Sequence, residues 1–168
     1  MNDSENICLS CGFCCDGTVI GFVQLERKEV PVVKKIMDIE VLGENGFFLQ
    51  PCSRYCDGCT IYSQRPKQCA SFKCKLLKSV EQKELDFDSA IEIIQVAKQK
   101  KRSLEKKIDL LQIELKSDSF HFKMIELKRR LDQNRSESSG LNKQLELLSE
   151  LKQLDTLFLK QMGVSFFS

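Results

Sequence analysis

Beyond Cys74 this chain of 168 residues has no cysteine, and anywhere along it only one histidine, His121. The first absence divides a cysteine-rich half from a half dominated by Leu, Lys, Glu and Gln. The second argues against a mixed Cys/His zinc site, because a lone imidazole far from every thiol has no set to complete. No stretch approaches the roughly 18 consecutive apolar residues of a membrane span, so no membrane partner is expected. Met1 to Leu9 is polar and acidic and has no apolar run, so no signal peptide is expected there. Charge of one sign is also scarce. The net charge is +2, with 11 basic and 12 acidic residues before Phe87 and 15 basic and 12 acidic from Phe87 onward. Neither half carries the field that a polyanionic partner selects, so nucleic acid is not expected. The basic run Lys98, Lys100, Lys101, Arg102, Lys106 and Lys107 is interleaved with Glu105 and Asp109 and reads as a solvated helix face. There is no Ser/His/Asp set, no glycine-rich phosphate loop and no paired-carboxylate arrangement.

What the first half does have is nine cysteines. Their number is odd, which leaves at least one without an internal disulfide partner, and with no leader expected the thiols point to a reducing cytoplasm. The first group reads Cys8-x2-Cys11-x2-Cys14-Cys15, and the second Cys52-x3-Cys56-x2-Cys59 followed by Cys69-x4-Cys74. Thiols two residues apart can close on one metal across a tight turn, as in zinc knuckles and iron–sulfur loops. Cys15, adjacent to Cys14, points elsewhere and serves a different vertex or a second metal. Pro66 can open a short helix that carries Cys69 and extends toward Cys74. Arg65, Lys67, Lys73 and Lys75 would offset the negative charge of thiolate ligands.

These motifs resemble the bacterial cysteine-cluster proteins known as the YkgJ-like family, a zinc- or iron-chelating domain. The resemblance rests on Cys8-x2-Cys11-x2-Cys14-Cys15, a separate cysteine, and Cys59-x-Ile61-Tyr62-x2-Arg65-Pro66-x2-Cys69-x2-Phe72-x-Cys74, and it covers about residues 7–78. It implies metal ligation by Cys8, Cys11, Cys14, Cys15, Cys52, Cys59, Cys69 and Cys74, with Cys56 the extra thiol. Ala70 stands where the family often has an arginine. Eight thiolates suit two four-cysteine sites, or one cluster and one zinc. The cofactor expected is therefore zinc or an iron–sulfur cluster, of four-iron, four-sulfur type among the options. Some relatives look like protein-lysine methylases, but no methyl-donor site is readable here.

The expected architecture is mainly α: a small α+β cysteine-rich domain over 1–78, then a helical hairpin or three-helix, coiled-coil-like segment over 79–168. A strand is expected around Thr18 to Val23, a helix over Leu25 to Ile39 with Pro31 in its first turn, and a turn at Gly43 to Gly46. From Phe87, Ile94, Ala97, Leu104, Ile108, Leu111 and Leu115 follow helical spacing, with Lys101 breaking the heptad and Asp86 or Asp88 as cap. Phe120, Met124, Leu127 and Leu131 make a second helix; Leu147, Leu151, Leu154 and Phe158 a third, with a break at Ser136 to Gly140 and a cap at Gly163. His121, between two phenylalanines, reads as an ordinary helical histidine. The function expected is metal binding, with the helices serving a protein partner or self-association. The rivals are an iron–sulfur redox or group-transfer enzyme, and a coiled-coil scaffold with a structural metal.

Overall fold

The short β-branched and aromatic runs of the first half form a small sheet because alternate residues can be buried on one side. In the computed structural model, which describes residues 3–133 and 141–167, strands β1 (Phe22–Leu25), β2 (Glu40–Leu42) and β3 (Asn45–Leu49) make an antiparallel sheet of order β1-β3-β2. Val23 lies opposite Phe48 and Leu25 opposite Gly46. Val23, Leu25 and Phe48 face inward, where they pack with Val33, Met37 and Cys52. Gly46 has no side chain for a reason: a Cβ there would stand 3.1 Å from Val30 Cγ2 and 3.4 Å from Leu25 Cδ1. Gly43, with φ +63°, takes the first position of the two-residue β2–β3 loop.

The strand begins later than Thr18, because Thr18 and Val19 spend their N–H groups on the Phe13 carbonyl at 3.0 and 2.8 Å. The helix expected over Leu25 to Ile39 contracts to α2 (Val30–Val33), with Pro31 in its first turn as anticipated. Its apolar spacing still serves packing, since Val33 and Met37 are buried. Helix α1 (Asp3–Cys11) precedes the sheet; a 3-10 turn at Tyr62–Gln64 and α3 (Lys67–Ser71) follow it. Gln68 of α3 accepts the Gln24 N–H at 2.5 Å and so closes the outer edge of β1.

The remaining helices are α4 (Lys75–Glu81), α5 (Phe87–Leu110), α6 (Phe120–Gln133) and α7 (Leu141–Met162). The chain divides into two compact units, Met1–Lys73 with Asp118–His121, and Cys74–Ser117 with Phe122–Ser168. In the first, Ser119 Oγ and the His121 N–H both donate to the Gly17 carbonyl, at 3.0 and 2.7 Å. In the second, α5 buries Ala90, Ile94, Ala97, Leu104 and Ile108, and α7 buries Leu147, Leu151, Leu154 and Phe158. Asp86 caps α5, its Oδ1 accepting the Ser89 N–H at 2.9 Å. Lys101 occupies the skipped heptad position with its side chain only 14% exposed, 3.8 Å from Glu105. Gly163, φ +71°, ends α7 as expected, and Phe166 folds back to lie 5.4 Å from Phe158. The architecture is thus mainly α with a small α+β region. Ser136 to Gly140 lies outside the described residues. Among those described, no helix is long and apolar enough to cross a membrane.

Candidate metal centre

Cys8 and Cys11 sit three residues apart on α1, so both sulfurs occupy one helix face rather than a bare loop. The helix stops at Gly12, where φ is +73° and a Cβ would meet the Tyr55 ring and hydroxyl at 2.5–2.9 Å. The chain then turns tightly. Cys15 and Asp16 both donate N–H to the Gly12 carbonyl at 2.9 Å, which reverses the backbone after α1. Cys15 is tied to the second cysteine group, since its carbonyl accepts the Cys52 N–H at 2.8 Å.

The Cys52–Cys59 segment is a loop closed at its base. Tyr55 N–H bonds the Cys52 carbonyl at 3.0 Å and Thr60 N–H the Arg54 carbonyl at 3.0 Å, while Tyr55 pairs with Cys59 in an isolated bridge. Asp57 (φ +49°) and Gly58 (φ +147°) form the tip. Cys52 and Cys59 therefore stand at the base, and Cys56 is exposed near the tip. Pro66 then caps α3, which carries Cys69. Cys15, Cys52 and Cys69 all belong to the packing around the inner sheet face.

The sulfurs of Cys15, Cys52, Cys59 and Cys69 act on one another. Cys15 donates its S–H to Cys59, and this bond draws the Cys59 thiol down to about 6, helped by the Ile61 N–H and Arg65 against the opposing effect of burial. Cys15 is held far above the ordinary thiol range, first by the same bond, then by burial and by the charges of Cys59, Cys14 and Cys52. Cys69 is pushed up to about 12, first by burial and then by the charges of Cys52 and Cys59, which Arg65 opposes. Burial also raises Cys52, and the Arg54 N–H donated to its sulfur at 3.4 Å opposes that rise. Of the four, only Cys59 is drawn toward the thiolate; the others are held protonated, and a bound cation would favour their ionisation.

Two tyrosines wall the group. Tyr62 bonds Cys8 through its hydroxyl and is raised above the usual phenol range, chiefly by burial and then by the charge of Cys8. Tyr55, raised first by burial, feels Asp16, Asp57, Cys15 and Cys11. Of the cations expected to balance the sulfurs, Arg65 faces them. Lys67 instead pairs with Glu26 at 2.5 Å on the surface, and its N–H bonds Glu29 at 2.7 Å.

Among the described residues, which include all nine cysteines, each sulfur is a thiol and no disulfide forms. Nor do any three His, Cys, Asp or Glu side chains among them stand at ligand spacing about a common point. The thiols are neighbours, not a closed shell. Their chemistry nonetheless fits a soft tetrahedral metal: sulfur donors without a carboxylate or imidazole among them. Cys74 does not continue the helix of Cys69. Phe72 is extended, and Cys74 caps α4 in the second unit, its sulfur accepting the Leu77 N–H at 3.4 Å. Burial raises its thiol, against the backbone N–H groups of Leu77 and Leu76. His121, remote from the thiols in sequence, stands at the start of α6 within the first unit, its backbone N–H donating to the Gly17 carbonyl at 2.7 Å. Sequence reasoning missed Tyr55, whose ring requires glycine at position 12 across 43 residues of chain; no local pattern signals it. Comparison of the chain with models of protein families, with curated proteins and with solved structures found no match.

Proposed function

We propose that the first unit is a metal-binding module of the cysteine-cluster kind, in which Cys15, Cys52, Cys59 and Cys69 are the nucleus of a thiolate site for zinc or an iron–sulfur centre. What supports the reading is that four thiols from three separate stretches of chain lie near enough to act on one another's ionisation, with Cys15 and Cys59 hydrogen-bonded to each other. Ionising these thiols together needs a compensating cation, and a divalent or ferric centre bound by thiolates supplies one. When bound, the metal would hold these segments together, and structural zinc contributes roughly 10–16 kcal/mol of apparent binding free energy. Cys8, Cys11 and Cys14 are the other thiols of the first unit that the resemblance implies as ligands, and are candidates for a second site.

The test is purification without oxygen, followed by elemental analysis and a visible spectrum. The expected result is zinc, or iron with inorganic sulfide, bound in fixed stoichiometry. Cys15→Ser, Cys52→Ser, Cys59→Ser and Cys69→Ser each lower that stoichiometry, whereas Cys56→Ser leaves it unchanged. A chain that carries no metal, or one whose metal survives all four substitutions, refutes the proposal. A colourless zinc protein removes the redox version and leaves a structural or sensing one.

A further inference from the structure

Arg65 lies between the Cys59 loop and the helix of Cys69, and three restraints fix its guanidinium. Its backbone is extended (φ −63°, ψ 149°) as it leaves the 3-10 turn, the conformation that a following proline, here Pro66, imposes. Its plane stacks on the Tyr62 ring with Cζ 3.6 Å from the centroid. Its Nη1 donates to the Tyr62 carbonyl at 3.3 Å. With the plane so held, Nε is buried and has no hydrogen-bond acceptor among the described residues. A buried N–H of a charged group is rarely left in that condition. The sulfurs on which the Arg65 charge acts are those of Cys59, the thiol drawn toward ionisation, and Cys69. Lysine could bring the charge there but neither the plane nor the stack.

We propose that Arg65 is a positioning residue of the sulfur centre, its buried Nε–H donating to a sulfur of Cys59 or Cys69 in the metal-bound protein. The inference rests on the metal reading above and deepens it. Sulfur that accepts such a bond has its lone pairs stabilised and its charge reduced, so it binds the metal in a fixed direction and reacts less readily with electrophiles. Tyr62 has a part in this: it is the platform that keeps Nε turned away from solvent.

Cobalt(II) titration of the full-length, reduced chain under anaerobic conditions tests the assignment, with Arg65→Lys and Arg65→Gln as variants. Wild type is expected to develop the near-ultraviolet charge-transfer band of thiolate bound to cobalt. Both variants should bind the same number of ions about 10- to 100-fold more weakly, as loss of an outer partner of a metal ligand does. Their band should move to longer wavelength, because a sulfur lone pair without its hydrogen bond lies higher in energy. Weaker binding with an unmoved band would mean that Arg65 only props the turn, and would overturn the assignment. So would Arg65→Lys at wild-type affinity and wavelength, since charge alone would then suffice. Absence of any thiolate–cobalt band in wild type would sink the metal reading itself; a band present in all three and unchanged would sink only the role of Arg65.

Discussion

Gly12 joins two demands that only glycine meets, a φ of +73° and a Tyr55 ring within 3 Å of where a Cβ would be. Gly12→Ala should therefore destabilise the first unit by about 2 kcal/mol or more, combining left-handed strain with displacement of the ring. Tyr55→Ala in the same background should recover part of the loss, which thermal unfolding of the single and double variants would measure. Cys59 provides the complementary prediction in chemistry. Thiolate, not thiol, is alkylated, and Cys59 is drawn down to about 6 by its bond from Cys15. In chelator-stripped protein, labelling of Cys59 followed by mass spectrometry should be half-maximal near that pH, falling below it as the sulfur is protonated and levelling above it. Cys15→Ala removes that bond and should shift the midpoint upward. An unshifted midpoint would show that the Cys15 bond is not what ionises Cys59.

Helix ends show what the sequence could and could not disclose. The seams of α5, α6 and α7 were legible because Ile94, Leu104, Met124, Leu127, Leu151 and Phe158 recur at helical spacing and are buried. So were the Asp86 cap and the Gly163 stop, because each uses the residue type its geometry favours. The end of α5 was not. Ile113 donates to the Ile108 carbonyl at 3.1 Å and Gln112 to Asp109 at 2.9 Å, a Schellman closure with Gln112 at φ +53°. Glutamine carries no sign of that conformation, so Leu111 and Leu115 seemed to continue the helix. Lys83, φ +59°, closes α4 in the same way. The candidate site was half legible for a similar reason: cysteine spacing named the sulfurs, but α1 beneath Cys8 and Cys11, and the turn that swings Cys15 toward Cys59, depend on contacts distant in sequence. Gln112→Gly should raise stability by about 1 kcal/mol, the cost that a side chain in the left-handed region imposes. Denaturant unfolding would check it, and a neutral or negative change would mean that the Gln112 side chain contributes elsewhere. Within the second unit, the Lys107 clasp to Glu146 and Glu150 is a pair of solvent-screened surface ion pairs and contributes little. Leu151→Ala, at a fully buried position, should cost about 2–5 kcal/mol.

At the scale of the whole chain the two units differ in what holds them. The second has a continuous seam of leucine, isoleucine and phenylalanine, each fully buried side chain contributing about 1.5–3 kcal/mol. The first has a short sheet whose inner face carries Val23, Leu25 and Phe48 and whose outer face leaves Leu49 and Leu42 exposed, so the sulfurs occupy ground that a larger apolar core would otherwise fill. Units of this size rarely gain more than about 3–5 kcal/mol from such a core and often depend on a metal or a disulfide, and here the cysteines form no disulfide. The proposed metal would then stabilise one unit and not the other. Hydrogen exchange followed by mass spectrometry, with and without a strong chelator under reducing conditions, reads this directly. Amides in β1, β3 and α3 should lose protection when the metal is withdrawn, while those in the middle of α5 and α7 keep theirs. Equal loss in both units would mean that the metal, if present, stabilises the chain through its helices; no loss in either would mean that the sheet and its apolar face suffice alone.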